Sequence, residues 1–161
     1  MDVPDVVVKQ TQAIRIAEAV ARGLTHPELG PAWERLLPEV VDHLDTVGAN
    51  HGISVGKYEY HGSADDFTIT LHAGFDVGDQ NVPESERVRI IDLPVVEVAS
   101  VVYRGPMDGI PSAWEALVAW VDNNGYRLVG ESRELYHEHD EEHHVRHVTE
   151  LQAAIARSAR R

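Results

Sequence analysis

Glu150, in the segment HVTELQ, is the residue of this chain whose type and setting best suit ligand chemistry. Side chains alternate between the two faces of a strand. In the run 147–155, Thr149, Leu151 and Ala153 therefore share one face, and Val148, Glu150 and Gln152 the other. The run FTITLHAGFDV at 67–77 divides the same way, with Ile69, Leu71, Ala73 and Phe75 opposite Thr68, Thr70, His72 and Gly74. The apolar side of each strand suits a helix, which leaves Glu150 and His72 on the other faces. A carboxylate is costly to desolvate unless paired, and perturbed acids collect at functional sites. Tyr58 and Tyr60 share a strand face, Tyr136 stands at the position equivalent to Tyr60, and Tyr103 ends a strand. Trp120 lies off the apolar stripe of its helix. An acid among aromatic faces suits an organic cation, through charge and cation–π contact. The expected ligand-binding set is thus Glu150, Tyr136, His72, Tyr60, Tyr58, Tyr103 and Trp120. The plainer alternative is a solvated strand glutamate, with tyrosines and tryptophans packed so that their polar tips stay wet.

The stretch YHEHDEEHHVRH holds His137, His139, His143, His144 and His147 among four acids. Imidazole and carboxylate are zinc and nickel ligands, and His-x-His on a strand puts both rings on one face. Against a metal site, the corresponding HGSADD has no such cluster, and histidine-rich tracts are compositional signals. No metal and no cofactor are expected. The sequence has no phosphate loop, no Gly-x-Ser-x-Gly elbow and no His-Glu-x-x-His.

The elements that position these residues form an internal repeat. Residues 6–23 align without a gap with 88–105, matching Ala17 to Ala99, Arg22 to Arg104 and Gly23 to Gly105. Trp33-Glu34 pairs with Trp114-Glu115, and Tyr60-His61 with Tyr136-His137. Each copy reads strand, strand, helix, strand, strand. Trp33, Leu36, Leu37, Val40, Val41 and Leu44 make the stripe of a helix with one buried face. Pro31 suits its first turn, and Pro38 should kink it. Trp114, Leu117, Val118 and Val121 form the second stripe, with Ser112 and Glu115 at capping-box spacing and Gly125 as a stop. The expected fold is α+β: a pseudo-two-fold duplication of a strand-helix-strand-strand unit, with antiparallel sheets, two main helices and a central ligand groove. One domain over 1–161 is expected, with repeat one at about 6–77, a polar linker at 78–87 and repeat two at about 88–155.

Composition narrows the function. The 161 residues are 43% hydrophobic and 25% charged, as in a soluble globular domain. With no cysteine there is no disulfide, thiol nucleophile or thiolate metal site. No apolar run approaches the roughly 20 residues of a membrane span, and the N-terminus does not read as a signal peptide. A cytoplasmic location is the default. The net charge of -13 opposes phosphate backbones, so nucleic acid is not an expected partner.

ARG and YRG before each helix, AWERLL and AWEALVAWV on the helices, LYH after the second helix and HVTELQ on the last strand together resemble the GyrI-like, or AraC-type, effector-binding domain. The resemblance covers about residues 6–155. It implies a doubled fold with a ligand groove and an acid, surrounded by aromatics, that receives cationic lipophilic compounds. It places that acid at Glu150 and a companion at Tyr136. Family members are often fused to helix-turn-helix domains, for which no room is expected before Val6.

Three functions follow from this resemblance. The first is a receptor or sequestering protein for amphipathic, cationic small molecules such as drugs or toxins. The second is a hydrolase of strained or electrophilic toxins, with Glu150 as base and Tyr136 as donor. The third is a protein-binding inhibitor module.

Overall fold

The computed structural model describes residues 5–138 and 147–158. His139, His143 and His144 of the histidine-rich run lie outside the described residues. The architecture is α+β, with two helices and mostly antiparallel sheet. Among the described residues no helix is long and apolar enough to cross a membrane.

The chain forms two compact units, Gln12–Pro94 (the first unit) and Met1–Thr11 with Val95–Arg161 (the second unit). These bounds differ from the repeat read in sequence by one strand each. Strand β1 (Val7–Gln10) pairs with β6 (Glu97–Arg104), whereas β5 (Arg89–Leu93) pairs with β2 (Ile14–Leu24). Each unit thus takes its outermost strand from the other repeat, a pairing that local sequence pattern does not encode.

The first unit orders its strands β3 (Ser54–Gly62), β4 (Phe67–Asp76), β2, β5. Helix α1 (Leu29–Val47) buries Leu36, Val40 and Leu44 against Ala17, Ala19, Ala21, Ile69, Leu71 and Ala73. The helix continues past Pro38, which forfeits one backbone bond without ending it. It stops at Gly48, whose φ of 70° is left-handed and free of strain only for a residue without Cβ.

The second unit orders its strands β1, β6, β8 (Val148–Arg157), β7 (Tyr126–Glu138). Helix α2 (Ile110–Asn123) packs Leu117 and Val121 on Ala99, Val101, Leu151, Ala153 and Ile155. It begins at Ile110 after Gly109, so Ser112 lies inside the first turn and forms no cap. Gly125, at φ 81°, turns the chain into β7.

The face assignment of the closing strands agrees with these cores. Ile69, Leu71, Ala73 and Phe75 join the first core, and Leu151, Ala153 and Ile155 the second. Thr70, His72, Glu150 and Gln152 are therefore on the faces turned away from the helices.

Candidate functional site

Register separates the expected site into two. Residues directly paired across antiparallel strands share a face. Tyr136 and Tyr103 both pair with Thr149, which lies on the α2 side of β8. Tyr58 pairs with Leu71 and Tyr60 with Ile69, both on the α1 side of β4. The four tyrosines therefore stand on helix-bearing faces, opposite to Glu150 and His72. The alternation within each strand is as read from sequence, but the pairing between strands puts the aromatics behind the acid. Tyr136 is accordingly not a companion of Glu150.

Register also corrects an equivalence. Where β4 and β8 are superposed by matching His72 to Glu150, the partner of Leu71 is Tyr58 and the partner of Thr149 is Tyr136. Tyr136 thus corresponds to Tyr58 and not to Tyr60.

On the face away from α2, Glu150 is 7% exposed and gathers four partners. Its Oε2 accepts from Lys9 Nζ at 2.7 Å, Ser100 Oγ at 2.7 Å and Gln152 Nε2 at 2.8 Å. Its Oε1 lies 3.0 Å from His137 Nε2. Burial alone would raise the Glu150 pKa, but the bonds from Lys9, Gln152, Ser100 and His137 outweigh it and bring it down to about 2. This is a satisfied, ionised carboxylate.

In the first unit, His72 bridges two acids. Its Nδ1 lies 2.6 Å from Glu18 Oε2, and its Nε2 meets Glu59. Glu18 is 1% exposed. Burial lowers the His72 pKa, yet Glu18 and Glu59 together raise it above its ordinary value. Burial likewise opposes the ionised Glu59, and the His72 bond prevails to lower its pKa.

The acid that does sit among aromatics is Glu134, on the α2 side of β7, where it pairs with Leu151. It is 7% exposed. The Trp114 indole N–H donates to its Oε2 at 2.6 Å, and the Tyr136 hydroxyl donates to its Oε1. Helix α2 brings Trp114 over the strand, and the two-residue spacing on β7 sets Glu134 and Tyr136 side by side. Both of these donors are neutral groups. Sequence reasoning missed Glu134, although the alternation that places Tyr136 also places it two residues away. Nearby on this unit, Trp120 stacks on Tyr126 with centroids 6.1 Å apart, shielding the core. The Tyr103 hydroxyl donates to the Pro106 carbonyl at 2.7 Å.

The corresponding positions in the first unit are Trp33, Gly56 and Tyr58. There the Trp33 indole donates to the Tyr58 hydroxyl at 2.9 Å. A Cβ at Gly56 would meet the Trp33 ring at 2.5 Å, so the indole occupies the space that Glu134 fills in the second unit. Tyr60 packs edge-on against Phe67 and is 39% exposed.

Of the histidine-rich run, His137 holds Glu150, and His147 is buried with its carbonyl accepting from Gly105 N–H at 3.0 Å. Among the described residues no three His, Asp or Glu side chains are grouped to hold a metal ion.

Solved structures share this α+β fold with its two helices and mostly antiparallel sheet. The EcmrR C-terminal domain matches with a TM-score of 0.72 at 15% identity, covering 97% of this chain and 99% of that one. SAV2435 bound to tetraphenylphosphonium matches at 0.66 and 12% identity, covering 94% of each. A hydrolase encoded by lin2189 from Listeria innocua matches at 0.56 and 11%, covering 95% of this chain and 93% of that one. At these identities the likeness establishes the fold. No curated protein sequence matches the chain. The chain belongs to the GyrI-like small molecule binding domain family, which its residues 4–156 match.

Proposed function

We propose that this protein binds lipophilic organic cations on the α2 face of the second unit, with Glu134 as the counter-charge and Trp114 and Tyr136 as aromatic walls. The observation that carries the reading is the buried Glu134 carboxylate held only 2.6 Å from an indole N–H and beside a phenol. Aromatic faces attract a cation through their quadrupoles, and a desolvated carboxylate adds charge where water screens it least. SAV2435, of the same fold, was solved with a lipophilic cation bound, which supports the ligand class. Glu150 stands on the opposite face from these aromatics, ion-paired with Lys9 and held by three further groups.

The test is titration with tetraphenylphosphonium, followed by tryptophan fluorescence. Glu134→Gln should weaken binding about tenfold to a hundredfold, the range for a lost charge-assisted hydrogen bond. Glu150→Gln should leave the affinity within about threefold of the parent. If Glu150→Gln alone abolished binding, the anchor would be Glu150 and the ligand would lie on the opposite face.

A hydrolytic reading survives only at Glu134. A carboxyl held at a pKa of about 2 is a poor general base, which disfavours that role for Glu150. The Glu134–Tyr136 hydrogen bond is an acid–base pair within proton-transfer reach. Catalytic opening of a strained electrophile, lost in Tyr136→Phe while tetraphenylphosphonium still binds, would favour that second reading.

A further inference from the structure

The first unit contains a cavity of about 630 Å³ whose lining is net positive, in a chain whose net charge is -13. Four arginines border it, Arg22, Arg35, Arg87 and Arg89, against two acids, Glu39 and Glu86. Strand β5 pairs with β2 only over Ile14–Glu18, so the continuation of β2 from Ala19 to Arg22 becomes one wall. Helix α1 supplies Arg35, Leu36 and Glu39 as the second wall, and the segment leading into β5 supplies the third.

The arginines divide into two pairs. Arg87 is held by Glu39 at 3.0 Å and Arg89 lies 3.8 Å from Glu84, both as exposed ion pairs. Such pairs contribute little and exchange readily. Arg22 and Arg35 have no hydrogen bond or ion pair among the described residues. A repulsive gathering of guanidinium groups with two members unmatched is what an anion relieves. The planar fork of each fits carboxylate or phosphate oxygens two at a time. The cavity lies in the size range of small-ligand sites. Its corresponding positions in the second unit keep an arginine at Arg104 but have Ala116 where α1 has Arg35, so the pair is confined to the first unit.

From this we infer that the first unit carries a second binding site, one for a small polyanion bearing phosphate or carboxylate groups, held by Arg22 and Arg35. The anion bridges strand β2 and helix α1 and draws Arg87 and Arg89 from their exposed partners. This site is independent of the cation site on the second unit.

The experiment is isothermal titration calorimetry of the full chain with inorganic phosphate and, separately, with citrate, at ionic strength fixed with sodium chloride. Saturable binding of at least one probe below about 10 mM is expected, and the tighter probe tells phosphate from carboxylate recognition. Arg22→Ala/Arg35→Ala should weaken it at least tenfold, and both side chains are exposed, so the melting temperature without anion should hold. Arg22→Lys/Arg35→Lys should fall between, because charge remains and the fork is lost. Absence of saturable binding by either probe, or equal binding by the double alanine variant, would overturn the site. Tetraphenylphosphonium binding should be unchanged in the double alanine variant, which keeps this result separate from that of the Glu134 site.

Discussion

Where strand β7 carries Glu134 beneath the Trp114 indole, strand β3 carries Gly56 beneath the Trp33 indole. The two positions share a register, a helix-borne tryptophan and a tyrosine two residues on, yet only one holds a carboxylate. In the first unit the indole fills the space and donates to a hydroxyl, which closes a core. In the second, the indole donates to an acid, which stores charge. The opposite faces trade groups in a similar way. The first unit sets one imidazole between two carboxylates, Glu18 and Glu59. The second sets one carboxylate among Lys9, His137, Ser100 and Gln152. The shared frame fixes where a group stands, and the surrounding partners decide whether it packs, titrates or binds.

The sharpest way to break the comparison is to give the first unit the second unit's acid. Gly56→Glu must displace the Trp33 ring and bury a charge where the indole now packs on the Tyr58 hydroxyl. A loss of about 3 kcal/mol or more is expected, from overpacking and desolvation together. Urea unfolding measures it, and a stable variant would mean that Trp33 swings aside and the two units are more alike than their packing suggests.

Next in size is Glu150. Its folded pKa of about 2 lies below its ordinary 4.5, so its stabilisation is full above about pH 4.5 and is lost as pH falls from there toward 2. The shift corresponds to an amount on the order of 3 kcal/mol. Glu150→Gln should therefore be less stable than the parent at pH 7, with the gap closing as both are titrated toward pH 3. A pH-independent gap would assign the loss to packing and not to the Lys9 ion pair.

Much of the α+β frame was legible in sequence because each local pattern is set by burial. The stripe Leu36, Val40, Leu44 had one period consistent with a buried helix face, and Leu71 and Leu151 could only face a helix. What was not legible depends on which strands meet. The pairing of Thr149 with both Tyr103 and Tyr136 turned those tyrosines to the α2 side, and no spacing within one strand reports a neighbour's register. Glu134 was overlooked for the same reason. Only Trp114 arriving from α2 shows it to be an acid under aromatics. The exchange of β1 and β5 is likewise a pairing choice, made over a sequence separation that local propensity cannot reach.

The smallest expected effect sharpens the contrast between the two faces turned away from the helices. Desolvation works against the protonated His72, but Glu18 and Glu59 hold its pKa above 6.5. A raised imidazole stabilises the fold fully below pH 6.5, and that contribution is lost as pH rises through the raised value. Glu59 is lowered, so its share is full above 4.5 and lost in acid. The first unit should thus be firmest between these limits, whereas Glu150 in the second unit is indifferent to pH above 4.5. Amide hydrogen exchange resolves the two, read at β4 for the first unit and β8 for the second. Between pH 6 and pH 9, corrected for intrinsic exchange, protection in β4 should decline while β8 holds. In His72→Gln the β4 decline should vanish, because a neutral amide between two acids has nothing to titrate in that range. If β4 in the variant still lost protection with rising pH, the alkaline sensitivity would belong to another group, and the bridge of His72 between Glu18 and Glu59 would not be its source.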